Sequence, residues 1–109
     1  MFGVQELATA VQFNIAVVVL VFNNNAYGNV RRDQRERFDG RVVASDLVNP
    51  NFVKLAESFG VGAARVTSPE NFRPALEKAL ADGRPYLISV EVPKDSEVSP
   101  WAFIHPAKP

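Results

Sequence analysis

The feature that most constrains this chain is the unbroken run Ile-Ala-Val-Val-Val-Leu-Val-Phe over residues 15–22. Side chains branched at Cβ favour extended backbone, and a run with no polar alternation suits a strand buried on both faces, as in a parallel sheet covered by helices. The run has eight residues, far below the roughly 20 that a membrane-spanning helix requires. No basic residue precedes Arg31, so the charged head of a secretory signal is missing as well, and no membrane partner is expected. Residues 15–22 are expected to form a central strand.

The segments around it alternate in kind. Val4, Leu7, Ala8 and Val11 fall at i, i+3, i+4 and i+7, which predicts a helix over 3–13. Asn23-Asn24-Asn25-Ala26-Tyr27-Gly28-Asn29 reads as a turn, because Asn and Gly tolerate positive φ and side-chain amides satisfy loose backbone groups. A polar helix is expected from Val30 to Arg37, ended by Asp39-Gly40. Asn49 and Pro50 suit the N-cap and first position of a helix over 50–59, with the face Phe52, Leu55, Ala56 and Phe59 and with Gly60 at C′. Ala63–Thr67 reads as a short strand. Ser68-Pro69 then opens a helix with the face Phe72, Ala75, Leu76, Ala79 and Leu80 before Gly83. Pro74 is expected to distort its first turn or to delay the regular helix to Pro74 itself. Tyr86–Val92 is a last strand.

This order predicts an α/β fold, a parallel sheet with helices on both faces. Such a fold normally starts with a strand, yet the helix at 3–13 has none before it, and the run at 15–22 is too apolar for a sheet edge. A neighbouring strand outside the sequence is therefore expected. Residues 1–93 form the domain, and residues 94–109 form an irregular tail carrying Trp101, Phe103, Ile104 and His105.

Composition narrows the function. Twelve Lys and Arg balance twelve Asp and Glu, and 47% of the 109 residues are hydrophobic. A packed core is expected, with no charge excess to attract nucleic acid. Cysteine is absent, which excludes disulfides, thiolate metal sites and a cysteine nucleophile, and a cytoplasmic location is the default. The arginines between Arg31 and Arg41 are interleaved with acids and read as a solvated or subunit-facing helix. His105, alone in the tail, is read as incidental.

In open parallel sheets ligands collect beyond the carboxyl ends of strands, where residues 23–29 are expected to lie. Asn side-chain oxygens and free turn carbonyls are hard ligands that suit Mg²⁺, which keeps water or phosphate for its remaining positions. By spacing alone such a turn is also simply a turn. Gln5–Val11 (Gln-Glu-Leu-Ala-Thr-Ala-Val), Asn23-Asn24 and Tyr27-Gly28, however, closely resemble the thiamine diphosphate enzymes of the acetolactate synthase and benzoylformate decarboxylase type. The resemblance runs to Pro93 and implies the carboxyl-terminal, diphosphate-binding domain. There a Gly-Asp-Gly after one strand and an Asn-Asn after the next hold Mg²⁺ and the cofactor diphosphate.

The Asn-Asn is present and the Gly-Asp-Gly is not. The resemblance places that motif just before Met1, on the strand already missing by topology, so the chain is expected to be a truncated fragment. Carried over, the resemblance makes the Asn24 side chain and the Ala26 carbonyl Mg²⁺ ligands. It sets the backbone of Tyr27, Gly28 and Asn29 beside the thiamine diphosphate, with Asn23 shaping the turn. No catalytic residue falls on this chain; the family's activating glutamate lies in another domain, and Glu6 is read as structural. The implied parent is a decarboxylase or carboligase, a lyase or transferase acting on 2-oxo acids as a homodimer or homotetramer. The isolated chain is expected to be inactive. The alternatives are a non-catalytic α/β module for another phosphorylated ligand, or an inactive truncated reading frame.

Overall fold

The computed structural model describes residues 3–98; Trp101, Phe103, Ile104 and His105 lie outside them. The elements are α1 (Glu6–Gln12), β1 (Val18–Asn23), α2 (Gly28–Arg37), α3 (Phe52–Ser58), β2 (Gly62–Val66), α4 (Pro69–Asp82) and β3 (Tyr86–Glu91). The three strands form one parallel sheet in the order β1-β3-β2. The α/β parallel architecture thus follows the expectation.

Among the described residues the central strand is β3, not the β-branched run. Tyr86, Leu87, Ile88 and Ser89 are all buried, whereas Leu20 and Phe22 of β1 are 38% and 63% exposed. Cβ branching reports a preference for extended backbone; it does not say how many strands flank the segment. The strand is also shorter at its start than the run. Asn14 turns at φ 48° and the Val17 amide donates back to the Ile15 carbonyl at 2.7 Å, so pairing begins only at Val18.

Alternation along the strands separates two apolar layers. On one face Val19, Val21, Ala63 and Leu87 pack with Leu7 of α1 and with Phe52, Ala56 and Phe59 from α3 and its end. On the other, Val18, Ala64, Val66, Tyr86, Ile88 and Val90 pack with Phe72, Ala75, Leu76 and Ala79 of α4. Helices therefore cover both faces. The first face stays open as an apolar groove of about 380 Å³ between α1, β1 and α3.

The helices follow the sequence with local corrections. α1 buries Leu7 and Ala10, while Ala8, expected on that face, points outward. α3 is capped by Asn51, whose side chain accepts from the Lys54 amide at 3.1 Å, and not by Asn49. Both are good caps; Asn51 stands three residues before the amide it satisfies, and Asn49 has another partner, described below. At the other end Gly60 takes φ 80°, and its amide and that of Val61 return to the carbonyls of Glu57 and Ala56, the closure expected of a C′ glycine. α4 runs unbroken from Pro69 through Pro74. The single backbone donor lost at Pro74 is outweighed by the apolar stripe of Phe72, Ala75, Leu76 and Ala79 that holds the helix on the sheet.

Candidate functional site

The turn from β1 to α2 is built from two overlapping loops of side chain to backbone. The Asn25 amide donates to Asn23 Oδ1 at 3.2 Å and the Ala26 amide to Asn24 Oδ1 at 3.0 Å. Each Asn closes a ring onto the amide two residues on, which is why adjacent asparagines suit this place. Between them Asn25 adopts φ 53°, a left-handed conformation that Asn tolerates better than most residues.

Ala26 then makes an isolated antiparallel bridge with Asp46. The bridge is carried by its neighbours: the Tyr27 amide donates to the Ser45 carbonyl at 2.8 Å, and the Leu47 amide to the Asn25 carbonyl at 2.9 Å. In extended backbone the N–H and C=O of one residue point to the same side. The Ala26 carbonyl therefore points away from the 45–47 segment, toward the side where its own amide meets Asn24. The Asn24 side-chain oxygen and the Ala26 carbonyl share that side.

At the start of α2 a side chain would crowd its neighbours. A Cβ on Gly28 would stand 2.9 Å from Asn24 Nδ2 and 2.8 Å from Glu97 Oε1. The missing side chain leaves a small cradle between the Asn24 amide and the first amides of a ten-residue helix, which lack intrahelical acceptors. Helix-start amides favour an anion, and in this structure the Glu97 carboxylate stands against that spot. Of the flanking residues, Tyr27 is 57% exposed with its amide committed to Ser45, and the Asn29 side chain accepts from the buried Arg32 at 3.1 Å.

Charged groups hold the surrounding loops. Arg31 of α2 pairs with Asp46 at 3.2 Å and Asp95 at 2.8 Å; Arg35 reaches Asp95 at 2.9 Å and Lys94 reaches Asp46 at 2.6 Å. The hydrogen bond from Lys94, with Arg31 nearby, holds the Asp46 carboxyl below its ordinary range. The bond from Arg31 does the same for Asp95. Arg31 and Arg35 of α2 are thus engaged with acids of the chain itself.

Below the turn, on the face covered by α3, lies a polar pocket of about 240 Å³ lined by Asn23, Asn25, Asn49, Arg65, Ser89 and Glu91 among others. Arg65, Ser89 and Glu91 do not stand out in the sequence, and Asn49 stands out only as a helix cap. They meet Asn23 only because parallel pairing aligns the carboxyl ends of three strands, and no local spacing announces that. Asp46, Asp95 and Glu97 were equally invisible, being ordinary loop acids. Among the described residues no three His, Asp or Glu side chains gather as a metal site, and no helix is long and apolar enough to cross a membrane.

A strand-end turn with amide oxygens, a helix that opens on a glycine and a parallel α/β sheet are combined at the end of the sheet where ligands collect in folds of this class. The family profile described as "Thiamine pyrophosphate enzyme, C-terminal TPP binding domain" matches residues 1–90, and the chain belongs to that family. It is 38% identical over 89 residues to a protein described as a probable acetolactate synthase large subunit from Methanocaldococcus jannaschii, covering 81% of this chain and 15% of that protein. It is 36% identical over 96 residues to the mitochondrial acetolactate synthase of Schizosaccharomyces pombe, covering 88% of this chain and 14% of that one. Among solved structures, the thiamine diphosphate-dependent 4-hydroxybenzoylformate decarboxylase of Rhodococcus jostii RHA1 superposes with a TM-score of 0.77 at 35% identity, over 87% of this chain and 18% of its own. The chain thus spans less than a fifth of the length of these relatives.

Proposed function

We propose that the β1–α2 turn is one half of a Mg²⁺–diphosphate anchor for thiamine diphosphate, in a decarboxylase or carboligase acting on a 2-oxo acid. The Asn24 side-chain oxygen and the Ala26 carbonyl would bind the metal, and the backbone of Tyr27, Gly28 and Asn29 would lie beside the diphosphate. The observation that carries this reading is the Ala26 amide held on Asn24 Oδ1 at 3.0 Å beside the cradle at Gly28, from which strand geometry turns the Ala26 carbonyl to the same side. Hard neutral oxygens of this kind fit Mg²⁺, which takes few protein ligands and completes its shell with phosphate and water. When bound, the cofactor supplies the electron sink for breaking a bond next to a carbonyl.

The chain's own residues contribute binding and orientation: two metal ligands, helix-start amides for the phosphate charge, and a turn fixed by side-chain rings. The acidic metal ligand, the catalytic groups and the rest of the substrate pocket would come from segments outside these 109 residues. The chain alone should therefore bind the cofactor weakly and turn over no 2-oxo acid.

Titration of the 109-residue chain with Mn²⁺ and thiamine diphosphate, followed by NMR, tests the reading. Paramagnetic broadening should fall first on residues 24–28, with affinity weaker than micromolar. Broadening centred elsewhere, or an Asn24→Ala variant that binds as well as the parent, would remove the metal assignment. Micromolar binding by the isolated chain would show that no outside segment is needed.

A further inference from the structure

We infer that Glu91, at the carboxyl end of β3, is a positioning residue for the metal-binding turn, acting through Asn23 from the neighbouring strand. This rests on the reading of that turn as a metal–diphosphate anchor. Glu91 and Asn23 are register partners at the ends of paired parallel strands, so their side chains leave the sheet on the same face. There Asn23 Nδ2 donates to Glu91 Oε2 at 3.3 Å, while Asn23 Oδ1 accepts from the Asn25 amide and, at 2.7 Å, from Asn49 Nδ2. Asn23 is 8% exposed, and its amide has partners at both ends.

Glu91 is held in turn. Its Oε1 accepts from Arg65 Nε at 3.2 Å and from the buried Ser89 hydroxyl at 3.3 Å. These contacts balance a carboxylate three-quarters removed from solvent. The chain of contacts runs from Arg65 on β2, through Glu91 on β3, to Asn23 on β1 and into the Asn25 amide. Asn24 follows Asn23 directly, and its oxygen is aimed by the same turn. Removing Glu91 would leave a buried Asn23 donor without a partner, and the side chain would rotate to find one, releasing the Asn25 amide. Glu91 itself touches neither of the oxygens assigned to the metal; its effect on the ligand is through geometry alone.

Four variants of the 109-residue chain decide the matter, probed with Mn²⁺ and inorganic pyrophosphate by paramagnetic broadening. Solvent exchange of the Asn25 and Ala26 amides is measured without ligand, and thermal unfolding is followed alongside. Glu91→Ala should weaken Mn²⁺–pyrophosphate binding about tenfold and speed Asn25 exchange by a similar factor, on the scale of one charge-assisted hydrogen bond. Asn23→Asp sets two carboxylates face to face and should do the same. Adding Glu91→Gln to Asn23→Asp restores a donor–acceptor pair and should recover most of both losses.

Unchanged Asn25 exchange in Glu91→Ala overturns the inference, as does a double variant no better than Asn23→Asp. A fall in melting temperature with unaltered affinity and exchange would make Glu91 merely structural and overturn it equally. Asn24→Ala separates the two readings. If it binds as tightly as the parent, the anchor assignment fails, while amide exchange still reports whether Glu91 sets the turn.

Discussion

Two turns leave the carboxyl end of this sheet toward a helix, and they are built on different principles. After β2, Val66-Thr67-Ser68-Pro69 enters α4 with a proline in the first turn, and the helix is held by apolar burial of Phe72, Ala75, Leu76 and Ala79. After β1, the chain enters α2 through two asparagine rings and a glycine, and α2 buries only Arg32 of its ten residues. It is fastened by hydrogen bonds and ion pairs to Asp46 and Asp95. Both turns occupy the position where α/β sheets bind ligands, yet only the turn after β1 is lined by side-chain amides. Position in the fold permits a site at either turn, and the polar construction of the one after β1 is what the proposed anchor rests on.

The largest expected effect lies on the apolar side of this comparison. Ile88 is fully buried between β1, β2 and α4, and Ile88→Ala should cost about 2–5 kcal/mol. In a domain with roughly 5–15 kcal/mol in hand, that removes much of the stability, both turns included. Urea titration would show it; a loss under about 1 kcal/mol would mean that the α4 layer carries less of the fold than its burial suggests.

Asn24→Ala should act oppositely: metal–diphosphate binding falls at least about tenfold, while urea stability changes by about 1 kcal/mol or less, since a single part-exposed ring is lost. Gly28→Ala comes next. The new methyl meets the Asn24 amide and the flexible end of Glu97, so the cradle closes and binding should fall several-fold. Alanine's helix propensity meanwhile offsets the crowding in stability, by up to about 1 kcal/mol. Binding unchanged in Gly28→Ala would show that the ligand does not approach the start of α2.

How much of this contrast could be read in the sequence depends on the range of the signal. The helix over α3, its C′ Gly60 and the apolar stripe of α4 were legible because each is written at spacings of three or four residues. The Asn23–Asn29 turn was legible for the same reason, and its residue words carried the family. What was not legible came from contacts distant in sequence. The run at 15–22 named a strand without fixing its place, and among the described residues sheet order sets β3 at the centre. Asn49 carried the signature of a cap, but Asn23, 26 residues away, took its amide while Asn51 capped the helix. Glu91 reached Asn23 across 68 residues through strand register alone.

The β1 edge offers another way to sharpen the contrast between apolar and polar halves. Val17, Leu20 and Phe22 are 38%, 38% and 63% exposed, and β1 pairs through one side only among the described residues. An apolar strand with an open edge is a template for pairing with another chain. The isolated 109-residue chain should therefore self-associate, seen by size-exclusion chromatography over a dilution series. A sharp monomer peak at all concentrations, with cooperative unfolding, would show that this edge is protected.

The smallest effect is expected from pH, and it tests the ionic fastening of α2. Asp46 is held below the ordinary carboxylate range first by its hydrogen bond from Lys94, and Asp95 first by its bond from Arg31. A carboxyl whose folded pKa is lowered contributes its stabilisation fully above the unfolded value, about 4, and loses it as pH falls through the folded one. The 44–47 and 93–96 segments should thus stay fastened from pH 7 to about 5 and loosen only below about 4. These groups are near the surface, so salt should weaken the same contacts. Side-chain resonances of Arg31 and Lys94 that move already between pH 7 and 5 would show that some other group holds α2. The two turns would then differ less in construction than their contacts indicate.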